Sequence, residues 1–216
     1  MLLQKEREAV VEYGKTMFSK GLTNGTTGNI SVFNREEGLM AISPSGIDYF
    51  STAPEDVVVM KLDGTIAEGA RKPSSEIHLH SEVYKSREDV SAVVHTHSDN
   101  STMMACLNWS LPSVHYMLAA VSGTEVPCAK YATFGSQELA LNAVKAMGAR
   151  KACFLANHGL LTCDVNLGKA LALAEKVEWI AGLYLRTKAL GEPVILSNDE
   201  MARVTERAKS YGQPKK

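Results

Sequence analysis

The chain has 216 residues, 45% of them hydrophobic and 22% charged, which is enough apolar content for a full core and too much for intrinsic disorder. Its 23 Lys plus Arg nearly balance 24 Asp plus Glu for a formal charge of -1, and no basic arm or stripe is present to neutralise a row of phosphates, so nucleic-acid binding is not expected. The charged opening MLLQKEREAV lacks the apolar stretch of a signal peptide, no run reaches the roughly 18 apolar residues of a membrane span, and Cys106, Cys128, Cys153 and Cys163 form no CxxC pair; reduced thiols, a cytoplasmic location and no membrane partner are expected.

Apolar residues Ala9, Val10, Tyr13 and Met17 recur at helical spacing and predict a first helix from Lys5 to Ser19, stopped by Gly21. A turn-forming loop, Asn24-Gly25-Thr26-Thr27-Gly28-Asn29, leads into a short strand at Ile30–Phe33, with Leu39–Ser43 as its hairpin partner. The β-branched run Val57–Leu62 predicts another strand, turned at Asp63-Gly64 toward Thr65–Ala67. Pro73-Ser74-Ser75-Glu76 has the composition of a helix entry, with Ser74 or Ser75 as cap and Leu79, Val83 and Tyr84 facing the core through Lys85.

Further along, Val90–His97 predicts a strand and Ser101–Leu107 a short helix, while Met117–Ala120 is ambiguous. Gln137–Gly148 predicts a helix closing at glycine, and Cys153–Ala156 a buried strand running into Asn157-His158-Gly159. A long helix over Leu167–Ala189 and a weaker one over Asp199–Ser210 complete the chain, leaving 211–216 as a flexible tail. No repeat or linker divides it, so residues 1–216 are expected to form one three-layer α/β/α domain around a central, mainly antiparallel sheet. The absence of a GxGxxG after the first strand argues against a dinucleotide fold.

The residues with chemical potential cluster at predicted strand ends. His95 and His97, two apart on a strand, place both rings on one face, where they can converge on an ion or serve as ordinary polar positions. His158 follows an apolar strand, where an ionisable group has no packing reason to be. Glu76 adds a carboxylate at a helix start, as a ligand or as a group stabilised by the helix dipole. Three imidazoles and a carboxylate suit a divalent ion such as zinc. His78 and His80 lie about 200° apart on a helix, so His80 is expected beside Glu76 in a supporting or packing role and His78 at the surface or an interface. His115 and Tyr116 are further proton or hydrogen-bond donors. The loops Thr26–Asn29, Ser43–Gly46 and Ser74-Ser75 carry the amides and hydroxyls of a phosphate cradle, although each alone reads equally as a turn or cap.

Together, in order, the GLTNGTTGNIS segment, Lys72-Pro73-Ser74-Ser75-Glu76, Ala92–His97, His115-Tyr116-Met117 with Ala119-Ala120, Tyr131-Ala132-Thr133-Phe134-Gly135, Asn157-His158-Gly159-Leu160 and Tyr211-Gly212 resemble the class II aldolase and adducin head-domain family, most closely its L-fuculose-1-phosphate aldolases. The resemblance implies that Glu76, His95, His97 and His158 hold a catalytic zinc ion and that Thr26, Asn29, Ser45, Gly46, Ser74 and Ser75 surround the phosphate of a ketose phosphate. It implies a homotetramer with active sites between subunits, Tyr116 and Tyr211 acting across the interface, and Glu76 as proton shuttle. The implied reaction is reversible cleavage of L-fuculose 1-phosphate to dihydroxyacetone phosphate and L-lactaldehyde. Thr27 stands where those aldolases commonly have alanine, and Ser45 replaces a frequent threonine. Rival expectations are an aldolase for another deoxyketose 1-phosphate, an L-ribulose-5-phosphate 4-epimerase, whose pattern carries aspartate at the place of Glu76, and an adducin-like structural head, against which the complete ligand set argues.

Overall fold

In the computed structural model, which describes residues 1–210, helix α1 spans Gln4–Ser19 and ends where Gly21 adopts a positive φ of 67°. Buried Arg7 fastens α1 to the sheet edge, donating from Nε to the Leu2 carbonyl at 2.8 Å and pairing with Glu68 at 3.0 Å. Four strands follow: β1 (Asn29–Asn34), β2 (Leu39–Ile42), β3 (Val58–Met60) and β4 (Ile66–Glu68), paired antiparallel in succession. The meander is the one that the turn residues predict, with β3 shorter than expected.

Helix α2 covers Ile77–Ser86, and the expected serine cap is not formed. Glu76 occupies the cap position, because Ser74 is tied to a distant segment: its N–H donates to the Ser43 carbonyl at 3.1 Å, while its hydroxyl accepts from the Glu76 N–H at 3.2 Å. Strand β5 (Ala92–Thr96) then crosses the middle of the sheet, with His97 just past its end, and α3 (Asp99–Cys106) leaves from there. Two-residue strands β6 (Leu111–Pro112) and β7 (Glu125–Val126) pair apart from the main sheet, and the ambiguous segment between them is a 3-10 turn over Tyr116–Val121.

Strand β8 (Cys128–Ala129), helix α4 (Gln137–Met147) capped by Ser136, and strand β9 (Ala152–Leu155) lead into β10 (Gly159–Asp164). The sequence does not flag β10 as a strand, since no turn signal separates it from the Asn157-His158-Gly159 corner. It is nonetheless central, pairing antiparallel with both β5 and β9. Helices α5 (Leu167–Leu190), capped by Asn166, and α6 (Asn198–Ala208), capped by Ser197, end the described chain. The expected tail and Tyr211 lie outside it.

The sheet order is β4-β3-β2-β1-β5-β10-β9-β8, with β8–β9 the one parallel pair among the described residues. Alternation along the central strands divides the core into two layers. Ile30, Val94, Phe154 and Leu160 face α1, α3 and α5, whereas Val93, Leu155 and Leu161 face α2 and α4. Each fully buried aliphatic side chain contributes on the order of 1.5–3 kcal/mol. This is the expected α/β/α arrangement, and both faces of β5 are committed to packing except at its last turn.

Candidate metal and phosphate site

The register of three strands builds the site. Asn29 of β1, His95 of β5 and Leu161 of β10 lie side by side, so Asn29 and His95 project onto the face covered by α2, beneath Glu76. Glu76 Oε2 is 3.0 Å from His95 Nε2, and Glu76 Oε1 is 3.7 Å from His158 Nε2. His95 Nε2 and His97 Nε2 approach to 2.8 Å, and the three histidine ligand atoms lie within 4.8 Å of one another. His95 donates from Nδ1 to the Leu160 carbonyl at 2.9 Å, which leaves its Nε2 lone pair facing the other rings.

His158 stands on the β9–β10 turn, preceded by Asn157 in the left-handed region at φ 54°. Gly159 is required there: a Cβ would lie 2.3 Å from the Thr96 carbonyl and 2.9 Å from His97 Cδ2. The turn therefore presses against the exit of β5, and this approach brings His158 to His95 and His97. Gly28 does the same on the other side, where a Cβ would come within 2.9 Å of the His95 carbonyl.

Burial and charge set the protonation states. Glu76 is 4% exposed; burial pushes its carboxyl up, but the neighbouring His95, His158 and Asn29 outweigh this and hold it well below the usual carboxylate range. Burial, with the crowding of the other imidazoles, lowers His97 to about 3 and His158 to about 4, so both rings are neutral near pH 7, the form that ligates metal. Glu76 Oε1 is buried without any hydrogen-bond donor. An orphaned carboxylate oxygen facing converging imidazole nitrogens is a donor set that a divalent cation completes.

The ligands open into a cleft of about 420 Å³, lined by Thr26, Asn29, Ser45, Gly46, Ser74 and Ser75 together with Glu76, His97 and His158. All six expected phosphate positions therefore share one wall system with the metal ligands. No lysine or arginine lines this cleft among the described residues, so an anion there meets hydroxyls, amides and the cation site. His80 is fully buried, with Nε2 2.6 Å from Asn29 Oδ1, while His78 is exposed, as expected of each.

Tyr116 is not part of this cleft. It is 55% exposed and stacks near His115, which in turn meets Trp179 edge-on, and it lines a separate groove of about 500 Å³ with Met117, Ala119 and α6. The sequence also assigns no role to Tyr131, Phe134 and Asn157, which line the first cleft. Tyr131 and Phe134 are 61% and 66% exposed, and a large exposed aromatic pair in a glycine-bounded loop is the signal that was available.

The Class II Aldolase and Adducin N-terminal domain family matches residues 8–185. The chain is 52% identical over 213 residues to a 5-deoxy-D-ribulose 1-phosphate aldolase of Bacillus thuringiensis serovar kurstaki, covering 99% of this chain and 100% of that one. It is 47% identical to an L-fuculose phosphate aldolase of Escherichia coli strain K12, covering 89% and 88% of the two chains. A solved L-fuculose 1-phosphate aldolase superposes with a TM-score of 0.92 at 46% identity, covering 95% and 96%. The expected family thus holds at the level of sequence and of fold, and the chain belongs to the class II aldolase and adducin N-terminal domain family as a metal-dependent class II aldolase.

Proposed function

We propose that the chain is a zinc-dependent aldolase that cleaves a short deoxyketose 1-phosphate reversibly between C3 and C4, releasing dihydroxyacetone phosphate and a small aldehyde. One observation carries it: the buried Glu76 carboxylate and three imidazoles converge at the head of a cleft that also presents the hydroxyls and amides of Thr26, Asn29, Ser45, Ser74 and Ser75. Identity over the full chain favours 5-deoxyribulose 1-phosphate as substrate, with acetaldehyde as the second product. L-fuculose 1-phosphate, which gives L-lactaldehyde, is the second reading, favoured by the likeness to the Escherichia coli aldolase and to the solved aldolase fold.

In this proposal His95, His97, His158 and Glu76 would hold the cation, which would supply Lewis acidity against the negative charge released when C3–C4 breaks. Thr26, Asn29, Ser45, Gly46, Ser74 and Ser75 bind the phosphate and fix the position of C1 to C3. Glu76, ionised before substrate arrives, takes up a proton from solvent once it loosens and delivers it to C3, which completes dihydroxyacetone phosphate and leaves Glu76 ionised again. Tyr116 lies outside the cleft of its own chain, so in this proposal it serves the C4 oxygen from a neighbouring subunit of a homotetramer as a proton relay: in cleavage it passes its phenolic proton to solvent as it takes up that of the C4 hydroxyl, and in condensation the transfers reverse. Tyr211 is proposed to close the same interface. The chain acts as one cytoplasmic domain without membrane attachment; no described helix is long and apolar enough to cross a bilayer.

The test is to assay the zinc-loaded protein with 5-deoxyribulose 1-phosphate, L-fuculose 1-phosphate and L-ribulose 5-phosphate, identifying products by mass and configuration. Dihydroxyacetone phosphate with acetaldehyde is expected. Lactaldehyde as the faster product moves the substrate to L-fuculose 1-phosphate, and inversion at C4 without cleavage contradicts the aldolase proposal.

A further inference from the structure

The catalytic proposal leaves one buried histidine without a task. His80 is 0% exposed, and the side chains around it form a continuous row: Tyr84 hydroxyl to Ser31 Oγ at 2.7 Å, Ser31 Oγ to His80 Nδ1 at 2.6 Å, His80 Nε2 to Asn29 Oδ1 at 2.6 Å, and Asn29 Nδ2 to Glu76 Oε2 at 3.3 Å. All five residues are buried, and Tyr84, Ser31 and His80 lie behind the cleft wall, where none can exchange its partner for bulk water.

The donors in this row can be ordered from one end. Ionised Glu76 can only accept, so the Asn29 amide nitrogen must face it and the amide oxygen must face His80. His80 must then carry its proton on Nε2, and Nδ1 must accept from the Ser31 hydroxyl, whose oxygen shares the single Tyr84 hydroxyl hydrogen with the Ser31 carbonyl, 3.0 Å from the Tyr84 oxygen. Every hydrogen in the row points toward the carboxylate. The opposite tautomer would put an Asn29 oxygen against a Glu76 oxygen, two acceptors in contact.

We propose that His80 is a positioning residue: held by Ser31 and Tyr84 in its Nε2–H tautomer, it locks the Asn29 amide so that this amide donates to Glu76, which keeps the carboxylate aligned with the three histidines and receives it when it loosens to carry a proton. This rests on the aldolase proposal only for the proton transfer; the alignment of Glu76 as a ligand stands separately. The same lock sets which end of the Asn29 side chain is presented toward the cleft, so one buried ring couples the phosphate wall to the metal wall.

Two measurements on the full chain test it. Imidazole nitrogen NMR is expected to report His80 as a neutral ring protonated on Nε2; a ring protonated on Nδ1 overturns the proposal. Zinc affinity, measured by competition with a chelating dye, is expected to weaken about 10- to 100-fold in His80→Phe, with kcat falling comparably, and to recover most of the loss in His80→Gln, whose amide can still donate to Asn29. Unchanged zinc affinity in a folded His80→Phe protein, or no recovery in His80→Gln, overturns it. Should His80→Phe fail to fold, Ser31→Ala removes only the hydroxyl that fixes the tautomer, and a smaller loss of zinc affinity in the same direction is expected; no loss overturns the proposal. A wild-type chain that turned over no ketose phosphate would defeat the aldolase proposal, while the zinc affinities of these variants would still decide the role of His80.

Discussion

The two large clefts differ in completeness. The first, built on the ends of β5 and the β9–β10 turn, is lined by Glu76, His97, His158 and all six proposed phosphate contacts, with His95 buried directly behind them, all from one chain. The second, beside Tyr116 and α6, is mostly apolar and contains no ligand cluster among the described residues. In the proposed reaction this difference separates two parts: the phosphate and carbonyl end would be held by groups that one chain brings together, whereas the aldehyde end would be served by Tyr116, which this chain presents outward. A tyrosine that is 55% exposed next to an apolar groove fits service to another copy better than service to its own cleft.

Variants can break this contrast at either end. The largest effect is expected from His158→Ala, which deletes a ligand from the complete cleft; turnover should fall by on the order of 10³-fold or more and zinc should be retained poorly, as measured by metal analysis after dialysis. Next comes Gly159→Ala. Its methyl group would sit 2.3 Å from the Thr96 carbonyl, so the turn must move, and a loss of roughly 2–4 kcal/mol in denaturant stability is expected together with loss of zinc. An unchanged stability would mean that the close approach of the turn to β5 is not what holds His158 in place.

At the outward end, Tyr116→Phe should lower kcat about 10- to 100-fold while leaving zinc affinity unaltered. Mixing Tyr116→Phe chains with His158→Ala chains sharpens the point. In randomly mixed tetramers about a quarter of wild-type turnover should return, the share of interfaces that join an intact ligand set to an intact tyrosine. No recovery on mixing would place Tyr116 within its own chain's chemistry or outside the reaction. Ser74→Ala, at the phosphate wall, should raise KM roughly 10-fold with a smaller change in kcat, the scale of one hydrogen bond to a charged group.

A further prediction concerns the pH dependence of stability. Burial lowers His80 and His97 to about 3 and His158 to about 4 in the folded chain, whereas unfolded histidine titrates near about 6.5. The unfolded state therefore binds more protons as pH falls from about 6.5 to about 4, and the metal-free protein should lose stability through that window while changing little above it. Urea midpoints measured across the window check this, and a flat profile would show that the rings are not held neutral.

How far the sequence carried depended on whether a residue's role was local. His95 and His97 were legible because a spacing of two on a strand fixes a common face, and Glu76 because a carboxylate at a helix entry stands out. His158 was legible as an ionisable group at the end of an apolar run, but its position on a turn between β9 and β10 was not, because β10 gains its strand character from pairing on both sides. Ser74 was misread as a cap, since its backbone pairing with Ser43 is a contact between distant segments. Gly159 left two explanations open until the Thr96 carbonyl was seen opposite it. Tyr131 and Phe134 acquire significance only from the cleft that the folded chain places beneath them.

The most direct test of the central claim is a zinc titration of the chelated protein, with dihydroxyacetone phosphate release followed at each addition. Activity that is absent without metal, rises linearly, and saturates at one zinc per chain is the expected result, together with neither tight zinc binding nor turnover in Glu76→Gln. Full turnover by the metal-free protein, or an unaltered zinc stoichiometry and rate in Glu76→Gln, would contradict a catalytic metal centre built from Glu76 and the three histidines.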